Sequence, residues 1–256
     1  MSEGKKKILN LYAGIGGNRK LWGDDYEITA VEYNEHIAKV YTNQFPNDKM
    51  IIGDAHQYLL EHFSEYDFIW SSPPCPSHSR MCFAKKTKEY IDMKLYQEIV
   101  LLKSWFKGRF VVENVIPYYE PLIKPNVILG RHHFWTNFQI EEKEFKNIDI
   151  SRSNPDDLLK ERGIDMSIFD VIKDVPENRS KDKRFERMQL VRNMVNPEIG
   201  LYILNCAMAD FNKNFETQTL LHGMPETVER YFDYEAFGRD LAFDFMEFNG
   251  YYFSNY

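Results

Sequence analysis

Cys75 stands in the stretch "SSPPCPSHS", with a proline on each side of it. Proline fixes its own backbone angle and keeps the preceding residue out of the helical region, so this thiol sits in a rigid, non-helical loop. A thiol held that way is a candidate nucleophile in its thiolate form. The commonest fate of a cysteine is burial as a small apolar group, yet Cys75 lies beyond the apolar run "YDFIW" rather than within it. Arg80, Lys85, Lys86 and Lys88 follow before the next acid, Glu89. Cations of this kind lower a thiol's pKa and bind phosphates. No C-x-x-C or matched histidine pair accompanies Cys75, so zinc ligation is not expected.

Three acids close other strand-like runs: Glu32 in "AVEY", Asp54 in "IIGDA" and Glu113 in "VVENV". A carboxylate at the end of a buried strand is costly unless it is paired or functional. Its structural alternatives are a helix cap or an ion pair. Glycines at 14, 16 and 17, in "NLYAGIGGNRK", let the backbone turn tightly and approach a ligand. A plain strand-to-helix turn accounts equally well for that glycine pattern by itself.

These residues need a scaffold that gathers strand ends. "KKILNLYA", "YEITAVEY", "KMIIGDA", "YDFIWSS" and "RFVVENV" read as five short buried strands, with a sixth over Val127–Phe138. "HIAKVYTNQF", "HQYLLEHF" and "YIDMKLYQEIVLLKSWF" carry apolar residues at helical spacing between them. The alternation predicts an α/β fold, a doubly wound and mostly parallel sheet covered on both faces. In such a sheet ligands sit outside the carboxyl ends of the strands. The glycine turn, Glu32 and Asp54 therefore converge on one crevice suited to a nucleoside-containing cofactor.

NAD and S-adenosylmethionine (SAM) both satisfy that geometry. A dinucleotide favours a third glycine in G-x-G-x-x-G, but the position three beyond Gly16 is Arg19. SAM carries no phosphate and does not need that glycine. Cys75 and Glu113 would share the crevice with it. Carbon 5 of cytosine is a poor nucleophile until a thiolate adds at carbon 6, and a protonated carboxyl on ring nitrogen 3 would stabilise the charge that builds there.

In these stretches the chain resembles the cytosine-5 DNA methyltransferases, in order along about 200 residues. "NLYAGIGG" is similar to the family's D-L-F-A-G-x-G-G loop, with Asn10 for Asp and Tyr12 for Phe. "VEYNEHIAKVY", "GDA", "SSPPCPSHS", "ENV" and "RNMVNPEIGLYIL" resemble its ribose-binding, adenine-contacting, nucleophile, Glu-Asn-Val and late G-N-S-V segments. The resemblance implies Cys75 as nucleophile and Glu113 as nitrogen-3 partner. Arg131 and His132, in "GRHHFW", stand for the family's paired arginines. It implies SAM contacts from Tyr12, Ala13, Gly14, Gly16, Gly17, Glu32, Tyr33, Asp54, Ala55, Pro74, Leu95, Asn193 and Val195. Leu95 is one position off the family spacing, Pro76 replaces the usual Gln, and Arg192 replaces a glycine beside Asn193.

The implied partner is duplex DNA with the target cytosine flipped out, contacted by Ser79, Arg80, Lys85, Lys86, Lys181 and Lys183. The same chemistry on tRNA, a catalytically silent SAM- and DNA-binding protein, and transfer of another group from a modified SAM are the alternatives.

A net charge of −7 argues mildly against a nucleic-acid partner. "NRSKDKRFERMQLVR", with six basic and two acidic residues, is nonetheless a local basic stripe or a solvated helix face. At 256 residues and 43% hydrophobic, the chain can bury a sizeable core. No run of eighteen apolar residues suits a membrane span, no signal-peptide pattern opens the chain, and three irregular cysteines do not make a disulfide framework. A reducing, cytoplasmic setting fits these features. The expected organisation is a catalytic domain over 1–140, a loop-rich recognition insertion over 141–183, a return to the catalytic domain over 184–215 and an extension over 216–256. Eleven of the last 26 residues are aromatic, which predicts packing over a surface that would otherwise be bare.

Overall fold

A computed structural model describes residues 4–79, 90–145, 155–172, 183–211, 245–248 and 251–254. Five strands lie parallel: β1 Lys7–Leu11, β2 Glu27–Glu32, β3 Lys49–Ile52, β4 Phe68–Ser71 and β5 Arg109–Val115. The expected sixth strand is two. β6 Val127–Leu129 and β7 His132–Thr136 form an antiparallel hairpin around Gly130, whose φ of 59° a glycine tolerates without strain. The order is β3-β2-β1-β4-β5-β7-β6, with β7 antiparallel to β5. The sheet is therefore doubly wound and mostly parallel, and its order reverses between β1 and β4.

Alternate residues of each strand feed opposite cores, as the two-residue strand period requires. Ile8, Ile28, Phe68, Trp70, Val111 and Phe134 pack on one face with Ile199, Ile203 and Leu204 of α6, Pro197–Phe211. Leu9, Val31, Ile69, Phe110, Val112 and Trp135 pack on the other. There they meet Leu59 of α2, Ala55–His62, and Leu95, Ile99 and Leu102 of α3, Lys94–Trp105. Helix α3 starts later than its apolar pattern predicts, at Lys94, whose N–H donates to Asp92 Oδ1 just ahead of the cap residue Met93. Helix α1, Glu35–Gln44, covers Ala30 and Ala13 through Tyr41.

The stretch after 145 contributes α4, Pro155–Arg162, and a short helical run over Met166–Ile172. Leu158, Ile164 and Phe169 pack there with Ile15, Val40, Val191 and Met194. Helix α5, Lys183–Asn193, and α6 are separated at Asn196, which caps α6 by accepting the Glu198 N–H. Residues Met1–Asn212 form one compact unit and Lys213–Tyr256 a second, in which β8 Phe245–Phe248 pairs antiparallel with β9 Tyr251–Ser254. Among the described residues, no helix is long and apolar enough to cross a membrane.

Candidate active site

The chain leaves β1 through Tyr12, a non-glycine residue at φ 55°. That unusual backbone is held by its side chain, whose hydroxyl donates to Glu98 Oε1 at 2.6 Å. Glu98, fully buried on α3, also takes the Ser71 hydroxyl on Oε2 and meets His56 Nδ1 at 2.9 Å. One carboxylate thus ties together the ends of β1 and β4 and the start of α2. Burial first, and then the Glu98 charge, push the Tyr12 phenol well above its ordinary range, so it stays a donor. Reading the sequence missed Glu98. The available signal was its phase: Leu95, Glu98, Ile99 and Leu102 share one helical face.

The three glycines have three different tasks. Gly14, at φ 55°, donates its N–H to Glu32 Oε2 at 3.0 Å, and a β-carbon there would meet only the Tyr12 carbonyl oxygen, at an ordinary contact of 4.0 Å. Gly16, at φ 81°, lies against the Phe45 ring. At Gly17 a β-carbon would come within 2.6 Å of the Val195 carbonyl oxygen. Gly16 and Gly17 therefore serve packing of the chain on itself, where close approach to a ligand was expected. Asn10 is buried and accepts the Asn18 side-chain amide at 2.7 Å, bracing the same turn.

Glu32 ends β2 and accepts from Gly14 N and from Asn34 N, at 2.9 Å. A carboxylate has about four lone-pair sites, so roughly two remain for ligand hydroxyls. Asp54 Oδ1 caps α2 through the N–H groups of His56 and Gln57, and Oδ2 lies 3.5 Å from Lys94 Nζ. Burial pulls the Asp54 carboxyl up, but those N–H groups and the lysine outweigh it and hold it below its ordinary range. Tyr12, Glu32, Tyr33, Asp54, Ala55 and Pro74 line a crevice of about 410 Å³ with Ser72, Asp92 and Lys94, which sequence reading did not single out. Tyr33 is 80% exposed there, a ring open to stacking.

Other expected cofactor residues lie elsewhere. Leu95 and Ala13 sit in the cores, and Val195 packs with α6. Asn193 is exposed at the end of α5 and accepts from Gln189 at 3.2 Å.

Cys75 follows β4, and its carbonyl accepts the N–H groups of His78 and Ser79. This closes a tight turn around Pro76. Asn114 secures the loop from beneath, donating to the Pro73 carbonyl at 2.9 Å. Glu113 lies inside β5, one residue past the last pairing with β4, and is 6% exposed. Burial raises its carboxyl to about 7, against a hydrogen bond from Ser72 and the charge of Arg131. Arg131 lies in the β6–β7 turn and donates to the Arg192 carbonyl at 2.8 Å.

Burial and then the Glu113 charge push the Cys75 thiol up, with Arg131 a partial offset. The lowering expected from Arg80, Lys85, Lys86 and Lys88 rests on cations that lie outside the described residues. Lys181 lies outside them as well, and Lys183 is described only as the first residue of α5. His132, on β7, is likewise buried, and its Nε2 lies 3.5 Å from Glu113 Oε1.

A thiol on a proline-fixed loop, a buried carboxyl that can hold a proton near neutral pH, and a crevice at the switch point of a doubly wound sheet are what the fold places at this end of the sheet. Residues 6–117 match the family model of the C-5 cytosine-specific DNA methylase. It is 36% identical over 80 residues to a tRNA (cytosine(38)-C(5))-methyltransferase of Spodoptera frugiperda, covering 29% of this chain and 24% of the relative. It is 29% identical over 113 residues to the type II methyltransferase M.Bsp6I of Bacillus sp. (strain RFL6), covering 43% and 36%. The chain thus spans only about a quarter to a third of the length of these curated relatives. A methyltransferase structure from Entamoeba histolytica aligns with 82% of this chain and 100% of its own, at 13% identity and a TM-score of 0.47.

Proposed function

We propose that this protein is a SAM-dependent methyltransferase that modifies carbon 5 of cytosine in DNA, with Cys75 as nucleophile. The observation that carries this reading is that Cys75, in the loop after β4, lies within electrostatic reach of Glu113 on the adjacent strand β5, with Glu113 raised to about 7. The crevice fits SAM: Glu32 keeps acceptor capacity for ribose hydroxyls, Gly14 leaves the turn without a side chain, and Tyr33 offers a ring to the adenine. Bound there, SAM supplies an electrophilic methyl group.

Cys75 Sγ adds to carbon 6, and the displaced π electrons make carbon 5 nucleophilic. Glu113, carrying a proton, donates to nitrogen 3 and stabilises the charge that reaches the ring. Its protonation also removes the second-largest cause of the raised Cys75 pKa, leaving Arg131 to favour thiolate. Loss of the carbon-5 proton after transfer re-forms the ring double bond as the Sγ–carbon bond breaks. Cys75 cannot reach carbon 6 inside a duplex, so the base must leave the stack.

The DNA methylase family model supports DNA as the substrate, and the tRNA-modifying relative names the rival. Incubation with SAM and duplex DNA containing 5-fluorocytosine should give an adduct that survives denaturation. Methylation without any adduct would sink the covalent mechanism. Methyl transfer to tRNA with none to duplex DNA would overturn the substrate.

A further inference from the structure

Arg162, the last residue of α4, is 6% exposed, and among the described residues its Nε and Nη1 have no hydrogen-bond partner. Leaving buried guanidinium N–H groups unpaired is costly, so a partner is expected to arrive from outside the chain. The helix that carries it is firmly placed. Leu158, one turn earlier, packs with Val191 and Met194, and Arg131 grips the carbonyl of Arg192 between those two residues. Helix α4, the end of α5 and the β6–β7 turn thus meet beside Glu113 and His132. Arg131 lies close enough to Arg162 for its charge to disfavour the Arg162 guanidinium, and both depress the His132 imidazole. Glu161 and Glu198 are the carboxylates within electrostatic reach of Arg162. Among the described residues neither pairs with it within 4.0 Å, and Glu161 Oε2 is itself buried without a partner.

A buried guanidinium with unpaired N–H groups beside the half-buried Arg131, at the rim of the base-modifying site, calls for an anion with oxygens for a planar fork. We propose that Arg162 and Arg131 together bind a backbone phosphate of the DNA strand whose cytosine Cys75 attacks. This rests on the cytosine-5 reading above. The inserted segment would then contribute to positioning the flipped nucleotide at a residue well before the basic stripe of 178–192.

The test uses the full chain and a duplex carrying 5-fluorocytosine at the target position found by methylation mapping. A series of such duplexes carries one uncharged methylphosphonate at each phosphate flanking that base. Wild-type protein should lose about tenfold or more in affinity at one position, as expected for a charged hydrogen bond. Arg162→Gln should bind the unmodified duplex about tenfold more weakly. It should lose less than wild type at that position, only the share that Arg131 supplies, and should flatten the salt slope by about 0.9. Its SAM affinity should not change. Arg162→Lys keeps the charge but not the fork, so it should show a reduced effect at the same position. It also keeps the test open if Arg162→Gln does not fold. Methylphosphonate losses equal in wild type and variants at every position, or a fall in SAM affinity instead, would overturn the phosphate contact. If wild type forms no adduct with the fluorocytosine duplex, the cytosine-5 reading itself fails. Adduct formation with purely additive losses removes only Arg162.

Discussion

Glu113 Oε1 lies 3.5 Å from His132 Nε2, with both side chains buried. The separation is that of an ion pair, but the charges do not bear it out. Burial, followed by the charges of Arg131, Arg162 and His133, holds His132 down to about 3, so the imidazole is neutral at neutral pH. Glu113, near 7, is then shared between its acid and its carboxylate. The contact is a neutral imidazole beside a carboxyl ready to hold a proton, as donation to ring nitrogen 3 requires.

A pH signature follows from this pair. Glu113 binds its proton more tightly folded than unfolded, so its contribution to stability is present below its ordinary pKa and is lost as pH rises to about 7. His132 works oppositely: stability present above its ordinary pKa is lost as pH falls towards about 3. Between roughly pH 4.5 and 6.5 the two slopes oppose each other. Glu113→Gln removes one of them, so its stability relative to wild type should rise from pH 4.5 to above 7, by on the order of 3 kcal/mol. Denaturant titrations across that range check this, and a pH-independent difference would contradict the assignment. Wild-type turnover should fall above pH 7 as Glu113 ionises.

Cys75→Ser should abolish turnover while SAM binding stays nearly intact, because the side chain is assigned to the base and not to the cofactor. Calorimetry and a tritium-release assay from carbon 5 separate the two. Retained release would mean that another group performs the addition.

Glu32→Ala should weaken SAM by about 1.5–3 kcal/mol, the range for a hydrogen bond to a charged group. It also unpairs the Gly14 and Asn34 N–H groups, so Tm should fall modestly as well. Unchanged SAM affinity by calorimetry would remove Glu32 from the cofactor site.

Gly17→Ala should destabilise the fold more than Gly14→Ala. The first drives a methyl group into the Val195 carbonyl and must displace the segment that leads into α6. The second makes only an ordinary contact with the Tyr12 carbonyl oxygen and bears the left-handed backbone penalty, roughly 1–2 kcal/mol. Thermal unfolding of the two variants gives the order, and Gly14→Ala should instead show the larger loss of SAM affinity.

Much of this site is legible in the sequence because its signals are local. Prolines around Cys75, glycines after β1 and acids closing short apolar runs announce themselves within a few residues. Five parallel strands at regular intervals then bring Glu32, Asp54, Cys75 and Glu113 to one edge of the sheet. Burial and partnership are not local. Glu98 meets Tyr12 from 86 residues away, and Gly17 is a glycine because of Val195. Neither relation leaves a pattern in its own segment. The hairpin of β6 and β7 reads as one strand in the sequence although Gly130-Arg131 interrupts its apolar residues, because only pairing decides where a strand reverses. Charge obeys the same division. Residue types show where ionisable groups stand, but whether Cys75 and Glu113 are pushed up or down depends on what water and neighbours the folded chain leaves them.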